Sequence, residues 1–148
     1  MSDSQLFFED VKVGTEIPAL VKRPTNVQLF RFCAVTWNAH RIHYDKVYAQ
    51  SEGYPDVLVQ AHLHGCFLLQ AVMNWAGPRA RLVGFRFQNR GIAIPGDALT
   101  CTGSVVKTEL RDSAGFIECD LEERNQKGEL CAPGWARVEL PRRAGRAS

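Results

Sequence analysis

The spacing of apolar residues along the chain changes at Pro78. Between Val57 and Ala76 almost every position is apolar, over a stretch too long for a strand and too short to span a membrane, which predicts a buried helix. After Pro78 the apolar residues recur at every second position, as in half-buried strands. This alternation predicts four strands, at 82–88, 98–107, 116–124 and 130–140.

Shorter elements precede the long helix. Apolar residues between 5 and 23 predict an N-terminal strand. Thr25 is placed to cap a helix by bonding the backbone of Gln28, and that helix should end near Trp37 or Asn38. Asp45 is placed to cap a second short helix over 46–52. The polar residues 38–45 are therefore predicted to form a loop between two helices.

These elements predict an α+β protein. Four consecutive antiparallel strands and an N-terminal strand need a cover for their apolar face, and the long helix is the only predicted element large enough. An antiparallel β-sheet wrapped around a long central helix is the hot-dog fold. A β-sandwich is the alternative, but it has no place for this helix. The 148 residues suit one domain, with flexible tails expected at 1–7 and 141–148.

Composition excludes several classes of function. The 18 basic and 16 acidic side chains leave a net charge of +2, too balanced for an electrostatic nucleic-acid binder. No apolar stretch is long enough for a membrane span, and the N-terminus lacks the features of a signal peptide, so a cytoplasmic protein is expected. The five cysteines are odd in number and form no Cys-x-x-Cys pair, which argues against a disulfide framework and a zinc site. We therefore expect no metal.

The candidate chemistry lies in the polar loop and at the start of the long helix. His40 and His43 can act as base, acid or metal ligand, although loop histidines are often surface residues, and helix capping alone accounts for Asp45. The helix start, near residues 60–62, presents free N–H groups and the positive end of the helix dipole. A loop folded over that end would place an imidazole base beside donors for a carbonyl oxygen.

Several stretches of the chain resemble the MaoC-like acyl dehydratases, which include R-specific enoyl-CoA hydratases, mesaconyl-CoA-type hydratases and hydratase subunits of steroid side-chain breakdown. The similar stretches are Asn38–Asp45, Tyr48-Ala49, Gly53–Val59, Trp75–Pro78 and Pro95–Asp97. The resemblance covers roughly residues 8–140. It implies a hot-dog fold, an acyl-CoA substrate, no cofactor other than the coenzyme A of the substrate, and a homodimer or a heterodimer with a related hot-dog subunit.

The family motif Asp-x-Asn-Pro-x-His places its histidine on His43 and its aspartate on Asn38. Its asparagine and proline fall on His40 and Arg41, so the histidine is kept and the carboxylate is replaced. An amide cannot accept a proton from water, although its oxygen can orient that water. The resemblance therefore implies that His43 is the base and Asn38 holds the water, with His40 as a further candidate. Asp45 or Asp56 could orient the imidazole.

A second departure from the family lies at the start of the long helix. Many relatives carry His-Gly where this chain has Gln60-Ala61. The family's oxyanion donor there is a backbone N–H group, which Ala61 retains. Substrate contacts are expected from Tyr54, Gln60 and His62.

The function implied is that of a hydro-lyase, an enoyl-CoA hydratase or 3-hydroxyacyl-CoA dehydratase that adds water reversibly across a 2,3-enoyl thioester. Loss of the carboxylate at Asn38 leaves open a non-catalytic or half-site subunit of a heteromeric hydratase. An acyl-CoA thioesterase is a third interpretation, but it would normally use an acidic residue near the central helix. No acidic residue occurs between Val57 and Ala76.

Overall fold

The computed structural model describes residues 5–143, which form a five-stranded antiparallel sheet packed against one long helix. The strands are β1 (Glu16–Lys22), β2 (Arg81–Phe87), β3 (Leu99–Arg111), β4 (Ala114–Arg124) and β5 (Leu130–Leu140). The helices are α1 (Asn26–Thr36), α2 (Lys46–Ser51) and α3 (Ala61–Ala76), with single 3-10 turns at Phe8–Asp10 and Arg41–His43. The strand order is β1-β3-β4-β5-β2. The predicted α+β hot-dog fold is confirmed.

The core lies between α3 and the concave face of the sheet. The helix contacts β1, β3, β4 and β5. Alternate residues of β4 and β5, such as Ile117 and Val138, are fully buried, as are Leu68 and Val72 of α3. Burial of this kind is worth about 1.5–3 kcal/mol for each large apolar side chain, so the packing of α3 against the sheet stabilises the fold.

The helix α3 begins at Ala61, four residues later than the apolar pattern predicts. Residues 57–60 instead belong to no helix or strand and are equally buried. Their main chain bonds to two distant segments: Leu58 N–H donates to Ile42 O over 2.9 Å and Val59 N–H donates to Ala93 O over 2.8 Å. Tertiary hydrogen bonds therefore replace the intrahelical bonds that the pattern predicts for this segment.

One face of α3 is left uncovered by residues 5–143. The exposed side chains follow a four-residue spacing and are His62, Cys66, Gln70 and Asn74. The prediction of a helix buried on every side is therefore wrong for this face. The reason is that a single sheet covers a helix only from one side.

Both predicted helix caps in front of the long helix are present. Thr25 Oγ1 accepts a hydrogen bond from Gln28 N at 3.2 Å, and Asp45 Oδ1 accepts one from Tyr48 N at 3.0 Å. The helix α1 ends at Trp37, whose φ of 55° is left-handed. These two helices therefore hold the polar loop 38–45 between fixed ends.

Within the tails expected at 1–7 and 141–148, residues 5–7 and 141–143 make hydrogen bonds and an ion pair with the rest of the protein. Leu6 N donates to Ala76 O at 3.4 Å, and Phe8 N donates to Pro141 O at 3.1 Å. Arg143 forms an ion pair with Asp10 at 2.6 Å. The remainder of the expected tails, 1–4 and 144–148, lies outside the described residues.

Candidate active site

The first part of the site is the turn that follows α1. Asn38 N–H donates to Cys33 O at 2.9 Å, and Asn38 Oδ1 accepts from His40 N at 3.1 Å. A side chain that bonds the backbone two residues ahead closes an Asx turn. The Asn38 side-chain oxygen, predicted to orient water, therefore already supports the loop, whereas its NH₂ group makes no hydrogen bond within residues 5–143.

His43 lies at the end of the 3-10 turn and is 9% exposed. Its Nδ1 is 2.9 Å from Leu58 O, while the N–H of the same Leu58 bonds to Ile42 O at 2.9 Å. A carbonyl oxygen can only accept, so Nδ1 carries the proton and the lone pair lies on Nε2. Burial of the ring lowers the pKa of His43 below its usual value. The imidazole is thus neutral at neutral pH, with one defined tautomer.

His40 lies beside His43 but in a different environment. The two ring centroids are 5.8 Å apart with the rings nearly perpendicular, and His40 is exposed. A positive charge on His40 would further lower the pKa of His43. The structure brings the two predicted histidines together and leaves only His43 anchored by its ring.

Neither aspartate proposed to orient the imidazole bonds to it. The Tyr48 N–H and then the Arg41 guanidinium hold the pKa of Asp45 below its usual value, and Arg41 lies 2.7 Å from its carboxylate. Lys46, first, and the Val57 N–H lower the pKa of Asp56 in the same way. The orienting acceptor of His43 is instead the Leu58 main chain, which no side-chain pattern could indicate.

The second part of the site is the start of α3, which the double link between 42–43 and Leu58 places next to the loop. Gln60 O accepts from the N–H groups of Leu63 and His64. No acceptor within the described residues bonds the N–H of Ala61 or of His62. The two N–H groups therefore lie three and four residues after Leu58, whose carbonyl oxygen holds His43. They are at the positive end of the α3 dipole.

The three residues predicted to contact substrate occupy different positions. Gln60 is 1% exposed, and its side chain points to α1 rather than to an open cleft, because its NH₂ group finds acceptors there. Tyr54 is half-buried against the core. His62 is exposed, and its ring lies 6.4 Å from the Phe87 ring, edge to face. Of the three, only His62 and Tyr54 have surface that a ligand could contact.

A buried polar pair lies behind the site and was not predicted. His64 Nδ1 bonds to Glu123 Oε1, both side chains are fully buried, and Cys101 Sγ is 3.6 Å from Glu123 Oε2. Burial and then the Glu123 charge raise the pKa of the Cys101 thiol, so it is protonated. The signal in the sequence is the alternation along β4, which places Glu123 on the same buried face as Ile117 and Leu121. The pair ties α3 to the sheet.

No group of three or more His, Cys, Asp or Glu side chains is arranged to hold a metal ion anywhere in residues 5–143. Among the same residues, no helix combines the length and the apolar character that crossing a bilayer requires.

The chain is similar to one family of known proteins and to a curated relative. The model of the family described as hydroxyacyl-thioester dehydratase type 2 matches residues 13–95, which contain the loop, His43 and the start of α3. A curated relative, mesaconyl-C(4)-CoA hydratase of Chloroflexus aurantiacus, is 44% identical over 63 residues. The matched stretch is 42% of this chain and only 22% of that relative's length.

Solved structures show the same fold at low sequence identity. The R-hydratase PhaJ1 of Pseudomonas aeruginosa has a TM-score of 0.85 at 18% identity, covering 94% of this chain and 88% of that one. The ChsH1-ChsH2 complex of Mycobacterium tuberculosis has a TM-score of 0.77 at 21% identity, covering 87% of this chain and 98% of that one.

Proposed function

The chain belongs to the hydroxyacyl-thioester dehydratase type 2 family, and from this premise we propose that it adds water reversibly across the 2,3 double bond of an enoyl-CoA thioester. The observation that carries the proposal is the anchoring of His43. Its Nδ1–H donates to Leu58 O, so Nε2 holds a free lone pair, and burial lowers its pKa so that this lone pair is available at neutral pH.

In the proposed reaction His43 Nε2 takes a proton from water as the water oxygen bonds to C3 of the enoyl group. The electron pair of the double bond moves to the thioester oxygen, where the Ala61 N–H and the positive end of α3 stabilise the negative charge. The imidazolium then returns its proton to C2, and the thioester carbonyl re-forms. Protons move and no electrons leave the substrate, so we propose no redox cofactor, with coenzyme A as part of the substrate.

An absorbance assay tests the activity. Mixing the purified chain with crotonyl-CoA should lower the absorbance of the enoyl thioester without release of free thiol. Release of thiol would instead indicate a thioesterase. The absence of any acidic residue between Val57 and Ala76 favours the hydratase over the thioesterase.

Asn38 offers a test of how the water is held. We expect Asn38→Ala to lower turnover by at least about tenfold, because it removes both the Asx turn to His40 N and the free NH₂ group. Asn38→Asp keeps the acceptor of the turn and adds a carboxylate that can take a proton, so it should match or exceed wild-type turnover. Initial rates with crotonyl-CoA measure both variants, and unchanged turnover of Asn38→Ala would remove Asn38 from the mechanism.

A second candidate function is that of a half-site subunit which completes the acyl site of a related hot-dog chain. The observation that favours it is the state of Asn38, an amide where the family motif has a carboxylate, with its oxygen already bonded to His40 N. The ChsH1-ChsH2 complex is a two-component assembly of this fold. A chain without turnover alone that gains turnover with a second hot-dog subunit would support this function.

We propose that the chain forms a dimer. The strand β2 bonds only to β5 and leaves its outer edge free within residues 5–143, and the edge carries exposed Leu82 and Val83. The uncovered face of α3 lies beside it, because His62 on that face contacts Phe87 of β2. Free edges and exposed apolar side chains favour pairing with another chain.

Light scattering at micromolar concentration should give twice the mass of one chain. Val83→Lys, on the exposed part of β2, should shift the mass toward that of one chain, whereas Val13→Lys on an exposed loop should not. A wild-type protein that is monomeric under these conditions contradicts the dimer.

A further inference from the structure

Gln60 is the residue immediately before the proposed oxyanion donor, and its buried side chain makes contacts that the mechanism above does not use. We propose that Gln60 is a positioning residue. It holds the start of α3 against α1, so that the Ala61 N–H and the loop carrying Asn38 and His43 keep one mutual geometry. This inference rests on the proposed function for its effect on turnover.

The helix α3 begins without a side-chain cap. An N-cap side chain normally accepts a hydrogen bond from the second or third N–H of its helix. Gln60 occupies the N-cap of α3 and makes no such bond. A side chain that capped α3 would bond the N–H of His62 or Leu63, next to the Ala61 N–H that the proposed reaction uses. The Gln60 amide is instead directed away from the helix, which leaves the N–H groups of Ala61 and His62 free of any acceptor in the described part of the chain.

The Gln60 side chain bonds to α1 instead of to its own helix. Its Nε2 donates to Leu29 O at 2.9 Å and lies 3.0 Å from Cys33 Sγ, both in α1. The main-chain oxygen of the same Cys33 accepts from Asn38 N at 2.9 Å. Gln60 is therefore bonded to the last part of α1, which leads directly into the polar loop 38–45.

Two neighbouring residues of Gln60 complete the attachment. Leu58 bonds to His43 Nδ1 through its oxygen and to Ile42 O through its N–H. Val59 N–H donates to Ala93 O. Three successive residues are thus each bonded to a different segment, and the proposed donor follows directly. A short stretch of main chain links the base and the donor, and among the described residues the Gln60 side chain is the one in this stretch that forms hydrogen bonds with α1.

The oxygen of the same side chain lowers the stability of the fold. Gln60 Oε1 is buried and has no hydrogen-bond donor within residues 5–143. A buried acceptor without a donor is unfavourable for folding. Methionine has a similar length and shape and carries no such oxygen, so stability alone does not call for glutamine here. A residue that departs from such a rule at a cost to stability is expected to have a functional role.

The experiment replaces Gln60 by methionine. We expect kcat with crotonyl-CoA to fall about ten- to a hundredfold, as for a small misplacement of reacting groups, with KM changed less than about twofold. The thermal midpoint should stay the same or rise. Gln50→Met is the matched control, since Gln50 is exposed in α2 and its side chain donates to Pro55 O at 3.5 Å. Its kcat should equal that of the wild type.

Amide hydrogen exchange supplies a readout that does not depend on turnover. Exchange in peptides covering residues 37–43 should be faster in Gln60→Met than in the wild type and unchanged in Gln50→Met. Cys33→Ala, which removes one of the two acceptors of Gln60, should change kcat and exchange in the same direction by a smaller factor.

The outcomes separate the two proposals. A wild-type chain without turnover counts against the proposed function, and the exchange rates then decide the role of Gln60. Unchanged exchange and unchanged kcat in Gln60→Met overturn the positioning role. A variant that does not fold, or whose thermal midpoint falls while kcat per folded molecule is kept, assigns Gln60 to stability and also overturns it.

Discussion

Replacement of His43 by alanine should lower the turnover of crotonyl-CoA by about 10²–10⁴-fold, the usual contribution of a general base. The expectation follows from the free Nε2 lone pair, which the bond from Nδ1–H to Leu58 O defines. The measurement is the initial rate of each folded variant, with folding checked by circular dichroism. Wild-type turnover in His43→Ala would contradict the proposed mechanism.

His40→Ala is the matched control for this variant. His40 is a histidine in the same loop, its ring is 5.8 Å away from the His43 ring, and it is exposed. Its loss should reduce turnover less than the loss of His43, because no hydrogen bond within residues 5–143 fixes the His40 ring. An equal loss in both variants would show that the two imidazoles act together.

The pH dependence gives a further check on His43. The base must be neutral, and burial lowers its pKa, so kcat/KM should fall only on the acid side, below the ordinary histidine pKa of ~6.5. The folded state binds this proton more weakly than the unfolded state does. Above about pH 6.5 the ring is neutral in both states, and its titration does not reduce the free energy of unfolding. As the pH falls below this value and through the lower pKa of the folded protein, protonation of His43 reduces the free energy of unfolding. His43→Ala should lack both effects.

Replacement of Ala61 by proline should lower turnover by about 10²–10³-fold with the fold intact, because one oxyanion donor is worth that much. Ala61 is the first residue of α3, where proline is well tolerated and removes only the N–H group. The preceding residue, Gln60, has φ −67° and ψ 141°, which a following proline allows. Turnover and thermal midpoint together measure the effect.

Ala61→Gly is the control for this substitution, since glycine keeps the N–H group and also changes the side chain. It should retain most of the wild-type turnover. Asn26→Pro, at the first residue of α1, tests whether proline at another helix start of this chain leaves turnover and the thermal midpoint unchanged. If Ala61→Pro retains full turnover, the Ala61 N–H is not the oxyanion donor.

Local patterns in the sequence determined the elements themselves. The helix caps at Thr25 and Asp45 and the alternation of the strands depend on interactions between residues close in the chain. The choice of a hot-dog fold over a sandwich also followed from the sequence, because one long apolar helix needs a sheet to cover it. The position of His43 in the family motif identified the candidate base.

Only the tertiary structure decided what surrounds that base. The partner of His43 is a main-chain oxygen, and main-chain atoms carry no residue-specific signal in a sequence. Gln60 points to α1 because acceptors from residues 29 and 33 lie there, and the non-helical form of 57–60 depends on bonds to 42 and 93. These contacts join segments tens of residues apart. They form only when the chain packs, which is why periodicity and motif spacing predicted the elements of the site but not its hydrogen bonds.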